Sequence, residues 1–231
     1  MKNLLFNLSF IFTFSLFSQE IKQDTTRVQN LEEVIVSSIR VKQNAPIAFT
    51  NVSKDELGKK NLGQDLPILL NSLTSVVTTS DAGAGVGYTG IRIRGINAQS
   101  TNITINGIPY NDAESLGTYW VDLPDFASSV ENLQVQRGVG TSTNGSSAFG
   151  ASINILTDLI SKNSYFENSN SVGSYNTIKN TFKFSTGILN DYFEFSGRLS
   201  KIDSDGYIDR SSSDLKSYFL QLNYKKENTL I

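Results

Sequence analysis

The chain contains no His and no Cys. With neither imidazole nor thiolate it has no Ser-His-Asp triad, no Cys nucleophile and none of the usual donors of a zinc site. The groups left for chemistry are carboxylates, arginines, glycines and aromatic rings. Asp112 lies near Glu114, and Asp122 near Asp125. Nothing in the sequence sets either pair across a cleft at glycosidase separation, so they read as surface turn carboxylates. Gly85-Val-Gly-Tyr-Thr-Gly90 has the G-x-G-x-x-G spacing of a phosphate cradle. That cradle needs a helix N-terminus directly after it to supply the anion site. Ile91-Arg-Ile-Arg94 follows with strand alternation instead, which leaves a mobile glycine loop and no dinucleotide site.

Arg92 and Arg94 share one face of that strand, opposite Ile91 and Ile93, and Arg137 ends another strand. Gly95 and Gly138 come next in the two strands, and a glycine lets a second backbone approach closely. Partners for these charges lie outside the domain or on Glu131. The polar loop 111–120 carries Tyr119 and the single Trp of the chain, Trp120, close to Tyr110. Aromatics crowded on such a loop fit ligand contact better than a core. No nucleophile-base or metal constellation survives, so the chain reads as a non-enzyme. Its net charge of −2 lacks the basic footprint of a nucleic-acid binder.

The elements around these residues divide the 231 residues into four parts. Residues 1–18 have the anatomy of a secretory signal peptide, with Lys2, an apolar stretch from Leu4 to Phe17, and Ser18 for cleavage. Polar interruptions keep this run short of the roughly 20 apolar residues of a membrane span. Residues 19–42 form a flexible leader that contains the β-branched burst Leu31, Glu32, Glu33, Val34, Ile35, Val36, Ser37 and Ser38. On pattern alone this burst is either an edge waiting for a partner strand or the first strand of the domain.

Residues 43–157 read as a small α+β domain of mixed strands and short helices. Ile47 to Val52 is strand-like, Ser53-Lys-Asp-Glu56 fits a capping box, and Pro67 suits the first turn of a helix running from 65 to 73. Further strands are expected at 76–79, 91–94, 102–105, 133–137 and 153–157, with turns at Asn106-Gly107 and Arg137-Gly138. From 158 to 231 the pattern becomes antiparallel alternation. Ile178, Phe182 and Phe184 stand against Thr177, Lys179, Thr181, Lys183 and Ser185. Phe193, Phe195 and Leu199 stand against Glu194, Ser196, Arg198 and Ser200, and a third run covers 218–225. Runs of about 10 residues, aromatics near strand ends and a tight turn at 189–191 against a longer connection from 203 to 214 fit a transmembrane barrel.

Several motifs together resemble the plug of a TonB-dependent outer-membrane receptor. They are Ile91-Arg-Ile-Arg-Gly95, Thr104-Ile-Asn-Gly-Ile-Pro109, Leu123-Pro124, Val130-Glu-Asn-Leu-Gln-Val-Gln-Arg-Gly138 and Gly145-Ser-Ser-Ala-Phe-Gly-Ala-Ser-Ile-Asn-Ile-Leu-Thr157. The family often has Asp-Gly where this chain has Asn106-Gly107, and both suit a tight turn. Tyr119-Trp-Val-Asp-Leu-Pro-Asp-Phe-Ala-Ser-Ser129 resembles receptors of Bacteroidetes type.

The resemblance implies a plug followed by the first antiparallel strands of a barrel of about 22 strands. It implies that residues 31–38 are the TonB box, which adds as a strand to the periplasmic part of TonB. Arg94 and Arg137 match plug arginines that pair with barrel glutamates as a buried latch. Tyr88, Asp112, Tyr119 and Trp120 become the ligand-facing plug apex. The protein then belongs in the cell outer membrane, with lipid, TonB and a small-molecule or chelate ligand as partners and no cofactor. The ligand class expected is an iron-siderophore chelate, with a corrinoid or oligosaccharide as relatives of that role. With only about four barrel strands in 231 residues, the chain reads as an incomplete receptor. The competing reading is a secreted carbohydrate-binding or adhesive β-protein without transport.

Overall fold

The computed structural model describes residues 40–42, 45–140, 144, 148–226 and 229–230. The signal segment and the burst at 31–38 lie outside the described residues. Among the described residues no helix is long and apolar enough to cross a membrane.

The first sheet is built from β1 (Ala48–Ser53), β4 (Thr101–Ile105), β5 (Ile108–Pro109), β6 (Val130–Arg137) and β7 (Ala151–Thr157), in the order β1-β6-β7-β4-β5. β4 and β7 run parallel and the other neighbours are antiparallel. Two short helices, α1 (Lys54–Lys60) and α2 (Leu66–Leu69), and the hairpin β2 (Val76–Ser80) with β3 (Thr89–Ile93) complete this part. The Ser53–Glu56 capping box starts α1: Glu56 N–H donates to Ser53 Oγ, and Ser53 N–H donates to Glu56 Oε2 at 2.9 Å. α2 is one turn long and stops at Leu69, so the helix expected to reach residue 73 is a series of turns there. The backbone is left-handed at Ser75 by the time β2 begins.

The two faces of this sheet differ in kind although both are covered. Ile103, Leu133, Val135, Ile153 and Ile155 face the apolar core, where Leu57, Leu66, Leu70, Ile93 and Trp120 meet them. The alternate positions Asn102, Thr104, Gln134, Gln136, Ser152 and Asn154 are also buried. Period-2 alternation therefore sorts apolar from polar here, but not inside from outside.

The second sheet continues the chain as β8 (Tyr165–Val172), β9 (Ile178–Ser185), β10 (Phe193–Ser204), β11 (Ser213–Lys226) and β12 (Thr229–Leu230), each paired antiparallel with the next. Its burial is inverted relative to a water-soluble sheet. Thr181, Lys183, Glu194, Arg198 and Ser200 are buried, whereas Phe166, Phe193, Phe195, Leu199, Leu220 and Leu222 are exposed. The architecture is a small mixed α+β domain with antiparallel strands laid against it as a wall.

Candidate functional site: a buried ion cluster between domain and wall

Asp125 is the centre of the interface. It follows Pro124 in a left-handed backbone conformation (φ 52°), which Asp tolerates better than most residues, and it is 1 % exposed. Its Oδ1 lies 3.1 Å from Lys179 Nζ and accepts from Asn61 Nδ2 at 3.1 Å and Ser128 Oγ at 2.6 Å. Its Oδ2 lies 3.3 Å from Arg198 Nη1 and accepts from Thr181 Oγ1 at 2.5 Å and Ser200 Oγ at 2.6 Å. Burial alone pushes this carboxyl up, but Lys179 and Arg198 outweigh it and hold Asp125 at about 2. Arg198 also donates to Ser129 Oγ at 2.8 Å and to the Pro124 carbonyl at 3.1 Å. One carboxylate of the domain thus binds β9 and β10 together and ties both to the segment 124–129. This corrects the reading of Asp125 as a surface turn carboxylate; Asp122, Asp112 and Glu114 are exposed as expected.

A second ionic link lies beside it. Asp158 bridges Lys183 of the wall (2.8 Å) and Lys54 of α1 (2.6 Å), and Lys183 also donates to the Ser128 carbonyl at 2.6 Å. Burial opposes the Asp158 charge, but Lys183 and Lys54 keep its carboxyl below the usual range. Glu131 pairs with Lys54 at 3.2 Å, not with the strand arginines.

Arg94 and Arg137 do come together. Arg94 is exposed in a left-handed conformation (φ 54°), and its Nη1 sits 3.1 Å from where a Cβ on Gly138 would be. Arg137 donates from Nε to the Thr74 carbonyl at 2.9 Å and from Nη2 to Thr50 Oγ1. Burial first, and then the neighbouring Arg94, push the Arg137 guanidinium down. Neither arginine makes an ion pair with a carboxylate among the described residues.

The aromatic group separates. Tyr88 and Tyr119 are 65 % and 51 % exposed, and Asp112 is exposed, its Oδ1 accepting from Ser115 N–H at 2.6 Å. Trp120 is 2 % exposed and belongs to the core, which corrects its assignment as a ligand-facing residue. It is a large apolar ring within the 3-10 turn Trp120–Asp122, and that turn buries it while leaving Asp122 outside. The glycine loop is tied down: Gly85 N–H donates to Ser80 Oγ at 2.9 Å, its carbonyl accepts from Asp65 N–H at 2.9 Å, and Val86 is fully buried.

Residues 41–152 match the family model described as "TonB-dependent Receptor Plug Domain". These residues form a TonB-dependent receptor plug domain, and the strands that follow match the barrel-strand region of such receptors. It is 30 % identical over 184 residues to the vitamin B12 transporter BtuB of Vibrio vulnificus, covering 78 % of this chain and 29 % of that protein. It is 24 % identical over 200 residues to the ferrienterobactin receptor of Escherichia coli, covering 79 % of this chain and 26 % of that protein. The siderophore receptor PirA of Acinetobacter baumannii shares the fold at a TM-score of 0.57 and 20 % identity, over 78 % of this chain and 29 % of PirA. The ferric yersiniabactin uptake receptor FyuA of Yersinia pestis does so at 0.61 and 18 % identity, over 79 % and 29 %. The chain spans under a third of the length of these relatives.

Within the plug, the buried polar face of the sheet holds an amide seam. Val41 N–H donates to Gln134 Oε1 at 2.8 Å, and Gln134 Nε2 donates back to the Val41 carbonyl at 3.1 Å. Gln136 Nε2 donates to Gln134 Oε1 at 2.9 Å, and Asn144 Nδ2 to Gln136 Oε1 at 2.8 Å. A side-chain amide here does for Val41 what a neighbouring strand would do. The sequence signal for the seam is the Gln-Val-Gln alternation of β6. The signal for the Asp125 cluster is the row of cations on one face of β9 and β10, which needs a buried counter-charge somewhere.

Proposed function

We propose that the full-length protein is an energy-coupled outer-membrane receptor that takes up a scarce ligand, with iron-siderophore chelates as the ligand class. The observation that carries this reading is the inverted wall, whose cations turn inward to grip a plug while its apolar side chains turn outward. A secreted binding protein in water has no use for such a wall. The names of the ferrienterobactin receptor and of PirA support the siderophore class, and that of BtuB makes a corrinoid the alternative cargo.

In this reading residues 31–38 add as a strand to the periplasmic domain of TonB. A pull there loads first the Arg40 hydrogen bonds to Asn132 and Asn154 and directly after them the Val41–Gln134 clamp. Arg94 and Arg137 form the plug half of a further latch, with glutamates on other wall strands as partners. Tyr88, Asp112 and Tyr119 meet the ligand.

Cells carrying the full-length receptor with Val34→Pro and Val36→Pro test the coupling, because Pro removes the donors a strand partner needs. Surface binding of the cargo is expected to persist while uptake of radio-iron siderophore and of labelled cobalamin is measured. Loss of siderophore uptake supports the reading. Loss of cobalamin uptake alone reassigns the cargo, and unchanged import of both removes the coupling.

A further inference from the structure

Four donors on the inward face of the wall converge on one carboxylate of the plug. Lys179 Nζ and Arg198 Nη1 stand 3.1 and 3.3 Å from the two oxygens of Asp125. Thr181 Oγ1 and Ser200 Oγ donate to its Oδ2 at 2.5 and 2.6 Å, lengths typical of a hydroxyl on an ionised carboxylate. Strand register puts all four on one patch. Thr181 stands opposite Ser200, with Lys179 on one side of that pair and Arg198 on the other. The four belong to the wall, so Asp125 is a plug group seated in an oxyanion socket that the wall makes.

The wall offers no carboxylate of its own to fill the socket. Among the described residues Lys179 and Arg198 form ion pairs only with Asp125. Glu194, buried on the same face, is taken by Ser185 Oγ and Asn223 Nδ2 at 2.6 Å each, and Glu167 stands opposite Lys183. A cleft of about 450 Å3 between plug and wall already reaches the socket, lined in part by Asn61, Ser128, Lys179 and Thr181. Asp125 is also placed to leave. It heads the turn Phe126–Ser129, which runs straight into β6, and the leader is fixed to Asn132 and Gln134 of that strand. A load on the leader therefore reaches Asp125 through a few residues of backbone. Its withdrawal strands two buried cations, and a carboxylate from another source can replace it with no change in charge.

We propose that this socket is a station for the cargo. Once Asp125 withdraws, Lys179, Arg198, Thr181 and Ser200 bind a carboxylate or similar oxyanion of the chelate, and in the resting plug Asp125 stands in for that group. The inference rests on the uptake reading above and narrows it to an anionic cargo. It also gives the socket a gating sense, because withdrawal without cargo leaves both cations unpaired.

Socket and cargo are tested separately in the full-length protein. Asp125→Gly empties the socket and suits the left-handed backbone there. Sodium formate is expected to raise, saturably, its denaturation midpoint or the heat-modifiable folded fraction seen in unheated gel samples. Sodium chloride at equal ionic strength is expected not to, and formate is expected to lose its effect once Lys179→Met and Arg198→Met are added. No response to formate, or an equal response without the cations, overturns the proposal. The second arm replaces the whole cluster with Asp125→Asn, Lys179→Met and Arg198→Met, which leaves no charge unpaired. Surface binding of the radio-iron siderophore used in the coupling test is expected to persist. Its uptake per folded receptor is expected to fall at least about ten-fold, the worth of one charged hydrogen bond. Lys179→Met alone, which keeps the Asp125–Arg198 pair, serves if the triple variant does not fold. A cluster that merely locks the plug gives unchanged or faster uptake, and that result overturns the cargo role. A parent that imports labelled cobalamin and no siderophore removes the anionic cargo and with it the proposal. Failure of the uptake reading itself shows in the Val34→Pro, Val36→Pro receptor and leaves the formate response standing.

Discussion

Asp125 accepts from Lys179, Arg198, Thr181, Ser200, Asn61 and Ser128. With both cations themselves buried, each depends on this carboxylate for its counter-charge. Asp125→Asn keeps the shape and removes the charge, leaving Lys179 and Arg198 uncompensated in a dry interface. The expected cost is on the order of 3–5 kcal/mol. Trp120 is the single Trp and lies in the plug core, so its fluorescence during chemical denaturation follows the loss directly. A midpoint within error of the parent would mean that the cluster does not hold the plug. Adding Lys179→Met should recover part of the loss, because it removes one orphaned charge along with its partner. The pH dependence has a fixed sign. Asp125 is held at about 2, below an unfolded value near 3.9, so its contribution is complete above about pH 4 and is lost as the pH falls toward 2.

At the level of elements, the loop that joins β2 to β3 rests on a carboxylate of the opposite kind. Asp65 precedes α2 but makes no capping bond; it is buried, and its Oδ2 accepts from Thr89 Oγ1 at 2.8 Å with no ion-pair partner among the described residues. Burial raises it to about 7 despite the Thr89 hydrogen bond. The folded state therefore holds this proton more tightly than the unfolded chain does. The stability it contributes is complete below about pH 4 and is lost as the pH rises through 7. Asp65→Asn should flatten the slope of unfolding free energy over that window, measured again by Trp120 fluorescence, and should be the more stable protein at pH 8. An unchanged slope would show that the carboxyl titrates normally. The sequence makes most element types legible because they rest on local chemistry: the Ser53–Glu56 box, the Asn106-Gly107 turn, and the alternation of β6, β9 and β10. It does not say what each face meets. Lys179 and Phe182 fix a polar and an apolar side for β9, but only the packed plug turns Lys179 inward. Trp120 on a polar loop gives the same surface pattern whether its ring points out to a ligand or into the core. Asp125 acquires its partners from strands more than fifty residues away, a pairing that no local spacing records.

The whole molecule keeps its apolar surface in two separate places, a plug core shielded from solvent and an outward wall, and these answer to different solvents. Val77 of the plug hairpin is 59 % exposed and Leu220 of the wall is 54 % exposed. By exposure alone the two positions should tolerate charge equally well. If the wall faces lipid, they should not. Lys at Val77 replaces one surface group with another and should change stability by no more than about 0.5 kcal/mol. Lys at Leu220, opposite Gly197 on the outward face, places an ammonium against hydrocarbon and should cost roughly 2–4 kcal/mol near the middle of the bilayer. The comparison is made on the full-length protein, reading the folded, heat-modifiable fraction and its denaturation midpoint in lipid bilayers. Equal effects at the two positions would place the outward face of the wall in water and return the chain to the secreted reading. A loss confined to Leu220→Lys fits only a wall whose solvent is lipid, with the plug held behind it by Asp125.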